Sequence, residues 1–209
     1  MTFIVDYGMG NLLSVKNALD HLGEPNEIVD HASDLIKADR LILPGIGGFP
    51  NCSHYLYTKG FVPVLNELVI DKKIPILGIC LGMQVMAAVG KEFKSSPGLG
   101  WFNAEVIKME FGAGFEHIKI PNIGWENISF NAKSPLFKGV GRSLDFYLVH
   151  SYYMKMADTD MDCIDATYTL GDLEVTAAVR KNNIFGTQFH PERSSDVGLA
   201  VLDNFLNWN

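Results

Sequence analysis

Residues 74–84 read Ile-Pro-Ile-Leu-Gly-Ile-Cys-Leu-Gly-Met-Gln, a short apolar run broken at a cysteine set between glycines. Such a run, bounded by turn signals, reads as a buried strand, and the residues after it open a helix. Cys80 then falls on a sharp strand-to-helix turn, the thiol counterpart of the G-x-S-x-G nucleophile elbow. Gly78 and Gly82 keep the space beside the turn clear, so the sulfur is expected to stand exposed above the sheet edge. A helix starting at Leu81 would aim free N–H groups and its positive dipole end at Cys80, favouring thiolate. Buried structural cysteines flanked by small residues share this local pattern, so it needs a second signal.

Working toward the N-terminus, Thr2–Val5 is a β-like run followed by a Gly8/Gly10 turn. Leu12, Val15, Ala18, Leu19 and Leu22 then recur at helical spacing up to Gly23. Glu27–Val29 and Arg40–Leu43 read as further strands, with Ser33–Lys37 as a short helix and Phe61–Lys72 as another helical stretch. Strands alternating with helices predict a parallel sheet covered on both faces. Sites in such sheets gather beyond the carboxyl ends of the strands, where Pro44-Gly45 and Cys80 both fall.

After Gly98 the texture changes to β-like pieces: Ala104–Met109, His117–Ile120, Leu144–Val149, Ile164–Tyr168, Val175–Arg180 and Ile184–Phe189. An amphipathic helix from about Asp196 to Trp208 follows, and Phe111–Phe115 reads as an exposed turn. The predicted class is α/β, a mostly parallel central sheet with antiparallel β additions in the C-terminal half. With no linker, repeat or low-complexity stretch, residues 1–209 read as a single domain.

Seventeen Lys+Arg against 24 Asp+Glu leave a formal net charge of −7 with no dense basic cluster, which argues against nucleic-acid binding. The first residues lack the basic n-region and apolar core of a signal peptide, and no apolar run approaches the ~18 residues of a membrane span. Cys52, Cys80 and Cys163 are odd in number and widely spaced. That fits a reducing cytoplasm rather than a disulfide framework or a zinc site, and no metal or cofactor is expected. Asp6-Tyr7-Gly8-Met9-Gly10-Asn11 carries Leu13 where a G-x-G-x-x-G loop needs its third glycine. A tight turn with Asn11 as helix cap accounts for it locally.

The second signal is Gln188-Phe189-His190-Pro191-Glu192. On an extended chain, side chains two apart point the same way, so His190 and Glu192 are expected to face one side. Nucleophile, base and orienter then form a Cys80–His190–Glu192 triad.

Gly78–Gln84 together with His190-Pro191-Glu192 resembles the class I (triad) glutamine amidotransferases. Asp6–Asn11, Leu43–Phe49 and Phe146–Tyr153 sharpen the likeness toward the glutaminase subunits of imidazole glycerol phosphate synthases. The resemblance runs from about Phe3 to the C-terminus. It implies glutamine hydrolysis in a heterodimer with a (β/α)8-barrel cyclase subunit that uses the ammonia for histidine biosynthesis. It also implies an oxyanion site from the Leu81 N–H and the segment Gly45-Ile46-Gly47, which with Pro44 reads by itself as a simple Pro-Gly turn after a strand.

Substrate contacts implied by the resemblance are Gly45, Gly47, Gln84, Glu92, His150, Ser151 and Tyr152. Glu92 read locally is a solvated helix-end carboxylate, and His150 a satisfied core or edge histidine. Asn11, Asn122, Trp125 and Arg193 are the implied partner contacts. The chain departs from the family pattern at Asn122, Glu126, Arg193 and Pro50, which opens an alternative: a paralogous glutaminase feeding a synthase that amidates a surface-polysaccharide sugar.

Overall fold

The computed structural model describes residues 1–141 and 144–208. The apolar runs of the first half form β1 (Thr2–Val5), β2 (Asn26–Val29), β3 (Arg40–Gly45) and β4 (Ile76–Cys80). β4 is buried along its whole length, as a strand covered on both faces must be. The second half adds β5 (Ala87–Gly90), β6 (Ser96–Pro97), β7 (Phe102–Lys108), β8 (Asn122–Phe130) and β9 (Leu144–His150). It continues with β10 (Tyr152–Met156), β11 (Ile164–Leu170), β12 (Leu173–Lys181) and β13 (Ile184–Thr187).

Nine strands form one sheet in the order β2-β1-β3-β4-β13-β12-β11-β8-β9. Pairing is parallel from β2 to β13 and antiparallel beyond. A second sheet of order β10-β7-β5-β6 packs beside it. The α/β class and the antiparallel additions therefore hold, with the large sheet divided evenly between parallel and antiparallel pairings.

Period-2 alternation places two cores on opposite faces of the large sheet. Phe3, Val5, Leu41 and Leu43 point into one core, with α2 (Phe49–Thr58) and α3 (Phe61–Asn66) over them. Ile4 and Ile42 point into the other, under α1 (Leu12–His21) and the C-terminal helix (Ser195–Leu206).

Several elements differ from expectation. Helix α2 was hidden by its Gly-Gly-Phe-Pro entry. Pro50 lies in the first turn, where the missing N–H costs nothing. The stretch from Phe61 is α-helical to Asn66 and continues as a wider π-helix over Glu67–Asp71. His117–Ile120 is not a strand. The chain becomes one only at Asn122, after Pro121, and the inward face of β8 (Asn122, Gly124, Glu126) carries too little apolar character to advertise it.

The helix starting at Leu81 is α4 (Leu81–Gln84), a single turn. The carbonyls of Val85 and Met86 accept from Leu99, Trp101 and Phe102, which diverts the chain into β5. So short a helix aims little dipole at Cys80. The C-terminal helix is accordingly α5.

Candidate active site

Strand register brings the site together. Parallel pairing sets Gly45 of β3 beside Cys80 at the end of β4. On the other side Thr187 pairs with Ile79, so Gln188 follows next to Cys80. Cys80 itself takes φ +55° and ψ −110°, a strained conformation for a side chain with a Cβ and the mark of a sharp elbow.

The two flanking glycines are required by close approach. A Cβ on Gly82 would lie 1.8 Å from the Leu43 carbonyl oxygen, and one on Gly78 would lie 2.6 Å from that of Gly82. The sulfur is not exposed above the sheet as expected. Cys80 is 6% exposed, because residues 46–47 and the end of β9 rise around it to form a cavity of about 370 Å³.

His190 reaches the same cavity. β13 ends at Thr187, and His190 caps a 3-10 turn over Pro191–Arg193. Its Nδ1 lies 2.9 Å from Glu192 Oε1. The pair meets through a tight turn, not through the strand alternation expected from spacing. Hydrogen bonds to β9 fix that turn. His190 N–H donates to the Tyr147 carbonyl at 3.0 Å, and Tyr147 N–H donates to Ser194 Oγ at 3.0 Å. Ser194 Oγ in turn donates to the His190 carbonyl at 2.7 Å.

Burial by itself lowers the pKa of His190. The Cys80 sulfur and the Glu192 carboxylate outweigh it and carry the ring up to about 10. Among the described residues Nε2 makes no hydrogen bond, and neither does Glu192 Oε2. The sulfur and the ring are thus neighbours without a completed bond, an arrangement common before substrate tightens a site.

Around the nucleophile, Leu81, Ile46 and Gly47 line the cavity. Gly47 adopts φ +100°, a peptide orientation that L side chains rarely reach. Gly45 does not line the cavity. It packs beneath, where a Cβ would lie 2.7 Å from both Tyr7 Oη and the Gly82 nitrogen. Gln84 lines the wall with its amide nitrogen spent, donating to the Tyr152 carbonyl at 2.7 Å and to Gln188 Oε1 at 2.9 Å. Only its carbonyl oxygen is left for a ligand. Glu92 borders the cavity while Oε2 accepts from Phe49 N–H at 2.7 Å, so it is both a helix-end carboxylate and a pocket residue.

Ser151 and Tyr152 also line the cavity. His150 does so as a wall, because both its ring nitrogens are engaged, Nδ1 with the Tyr152 carbonyl and Nε2 with Tyr168 Oη, each at 2.8 Å. Burial holds its pKa down to about 4, so the ring is neutral and makes no bond to a ligand. Pro121 and Val149 complete the wall and were not expected from the sequence. Val149 is legible only as the neighbour of His150, and no local signal marks Pro121.

The four expected partner contacts separate. Trp125 is 50% exposed on the outer face of β8 beside Ile123 and meets Tyr147 edge-on at 5.9 Å. Arg193 lies over that Tyr147 ring at 4.7 Å, so the three form a row leading toward His190. Asn11 stands at the start of α1 but makes no side-chain cap bond, contrary to expectation. Asn122 faces inward at 9% exposure, its amide directed to Glu126 and Tyr168, because β8 alternation turns it away from Trp125.

All three cysteines are free. Burial pushes the Cys52 thiol up to about 12 and raises that of Cys163 as well. Among the described residues no group of three His, Cys, Asp or Glu is placed to hold a metal. No helix there is long and apolar enough to cross a membrane.

A cysteine on a strand-to-helix elbow, at the end of the parallel half of a mixed sheet and in one cavity with a histidine backed by a glutamate, has the layout of a nucleophilic thiol site. The chain belongs to the class-I glutamine amidotransferases, whose family model matches residues 3–208. It is 41% identical over 206 residues to the imidazole glycerol phosphate synthase subunit HisH 1 of Campylobacter jejuni (strain RM1221), covering 99% of each chain. Identity is also 41%, over 202 residues, to the subunit HisH of Moorella thermoacetica, with 97% of this chain and 92% of that one covered. The solved structure of PurLQS from Thermotoga maritima matches with a TM-score of 0.74. At 18% identity, over 99% of this chain and 97% of that one, it shows the shared fold alone.

Proposed function

We propose that this chain is the glutaminase subunit of an imidazole glycerol phosphate synthase. It hydrolyses glutamine and delivers ammonia to a separate cyclase barrel. The observation that carries the reading is the meeting of Cys80 and His190, 110 positions apart, in one cavity with Glu192 behind the ring. Relatives sharing about two residues in five along the whole chain bear that subunit name, which supports the choice of partner over the sugar-amidating alternative.

His190, whose basicity the neighbouring Cys80 and Glu192 raise, takes the Cys80 proton, and the sulfur attacks as the thiolate. The sulfur adds to the side-chain amide carbon of glutamine. The oxygen that becomes negative takes hydrogen bonds from the Leu81 N–H and the Ile46–Gly47 segment, where one such donor is typically worth ~10²–10³ in turnover. The imidazolium gives its proton to the departing ammonia. The neutral ring then takes a proton from the water that opens the thioester, releasing glutamate. Glu192 holds the ring tautomer and stabilises its charged form. Glu92 and the Gln84 carbonyl oxygen receive the substrate amino group, while the Ser151-Tyr152 peptide holds its carboxylate.

Trp125 and Arg193, joined through Tyr147, and Asn11 at the start of α1 are the residues assigned to meet the cyclase. Free cysteines support a cytoplasmic setting. The test is glutamine hydrolysis measured with a histidine-pathway cyclase subunit, with and without its ribonucleotide substrate. Stimulation by that substrate, lost in Cys80→Ala, is expected. Hydrolysis without complex formation or stimulation would overturn the choice of partner.

A further inference from the structure

Behind the cavity wall runs a set of buried side chains that the reaction above does not use. Gln188 is fully buried beside the nucleophile and donates from Nε2 to Cys80 Sγ at 3.5 Å. Its Oε1 accepts from Gln84 Nε2 at 2.9 Å, and that same nitrogen reaches the Tyr152 carbonyl at 2.7 Å. From the other side, His150 Nδ1 meets the Tyr152 carbonyl at 2.8 Å.

A carbonyl only accepts, so Nδ1 carries the ring proton and Nε2 is an acceptor. Tyr168, 2% exposed, therefore donates its hydroxyl to His150 Nε2 at 2.8 Å. Its oxygen accepts from Asn122 Nδ2 at 3.4 Å, a nitrogen that also serves Glu126 Oε1 at 3.1 Å. Each donor and acceptor in the run has one consistent role. The two arms meet at a single atom, the carbonyl oxygen of Tyr152.

We propose that Gln188 and Tyr168, neither of which lines the cavity, are positioning residues. Through Gln84, the Tyr152 carbonyl and His150 they hold the nucleophile and the Ser151-Tyr152 peptide at one fixed separation. This rests on the reading of the cavity as a glutamine site, in which that peptide grips the backbone end of the substrate and Cys80 meets the amide end. The separation then acts as a gauge for side-chain length. Buried networks of this kind specify geometry because every member is satisfied in only one arrangement.

The test compares two reagents on the wild-type chain, Tyr168→Phe, Gln188→Leu and the double variant, with labelling read at each cysteine by mass spectrometry. A glutamine-shaped chloroketone needs both ends of the gauge, whereas iodoacetamide needs only the sulfur. Tyr168→Phe is expected to raise the chloroketone concentration for half-saturation roughly fivefold, the worth of one hydrogen bond. Its iodoacetamide rate at Cys80 should stay within about twofold of wild type, since nothing at the sulfur is removed. In the Gln188→Leu background the Tyr168→Phe effect on half-saturation should shrink to about twofold or less, because residues acting through one path are not additive.

Unchanged saturation in Tyr168→Phe would overturn the proposal, and so would a full-sized effect in the double variant. Should Gln188→Leu not fold, Tyr168→Phe against Tyr168→Leu decides the matter, because a positioning hydroxyl predicts equal saturation loss in both and no change with iodoacetamide. A wild-type chain that neither hydrolyses glutamine nor takes the chloroketone at Cys80 would instead bring down the proposed function, and this inference with it.

Discussion

Glu92 Oε2 accepts a 2.7 Å hydrogen bond from the N–H of Phe49, the residue that opens α2 directly after the Gly45–Gly48 segment. One carboxylate therefore borders the cavity and closes a helix N-terminus at the same time, and the two roles separate by substitution. Glu92→Gln keeps an acceptor for Phe49 but removes the charge facing a substrate ammonium. The KM for glutamine should rise about tenfold with kcat little changed, and Tm should move by only about 1–3 °C, the share of a helix-dipole charge. Glu92→Ala should lose a further ~1 kcal/mol, or about 2–4 °C, by leaving the helix end unpaired. Steady-state kinetics beside calorimetry check both. Equal KM in wild type and Glu92→Gln would remove Glu92 from the substrate site.

The Nδ1–Oε1 contact of 2.9 Å between His190 and Glu192 sets a pH dependence. Glu192 is one of the groups that raise His190 to about 10, so Glu192→Gln should lower that value. The alkaline limb of kcat/KM, which reports groups of the free enzyme, should move to lower pH by about one unit or more. kcat itself should fall by ~10²–10³, within the usual range for disturbed general acid–base catalysis. A pH–rate profile of the variant that matches wild type on the alkaline side would contradict the assignment.

His150 predicts an acid effect of opposite origin. Burial holds it to about 4 in the folded chain against an ordinary value near 6.5. Below pH 6.5 the unfolded chain binds a proton that the folded chain refuses. Stability is therefore complete above that pH and drains as pH falls toward 4, by about 3 kcal/mol in all. Urea denaturation from pH 7.5 to 4.5 should show this loss in wild type and a flatter course in His150→Gln. Parallel curves would mean that His150 titrates alike in the folded and unfolded chains.

Two glycines give a steric contrast. A Cβ on Gly82 would meet the Leu43 carbonyl oxygen at 1.8 Å, and the neighbour is backbone that cannot swing away. Gly82→Ala should cost ~3 kcal/mol or more, at the upper end of overpacking penalties. Gly124→Ala, with nothing within 4 Å of the added carbon, should stay within about 0.5 kcal/mol. Chemical denaturation of the two variants compares them directly.

Much of the site was legible because its chemistry is written locally. Gly78, Cys80 and Gly82 encode a strand, an elbow and a close approach within five positions, and each survives in the structure. His190-Pro191-Glu192 likewise carries its own geometry, although a 3-10 turn and not an extended strand joins the pair. Helix α2 and strand β8 were not legible. Pro50 masked the first, and a polar inward face masked the second.

The sequence by itself determined the parallel half of the sheet, the elbow and the three residues proposed as the triad, since hydrophobic period, turn chemistry and short spacings act within about ten residues. Only the tertiary structure decided that Gly45 lies beneath the cavity, that His150 is a neutral wall rather than a ligand, and that Asn122 turns inward to Tyr168. Each of those outcomes depends on which strands pair and in what register. His150 meets Asn122 only because β9 lies antiparallel to β8, and Gln188 reaches Cys80 only because β13 lies parallel to β4. Such partners are 28 and 108 positions apart, and no local pattern carries that information.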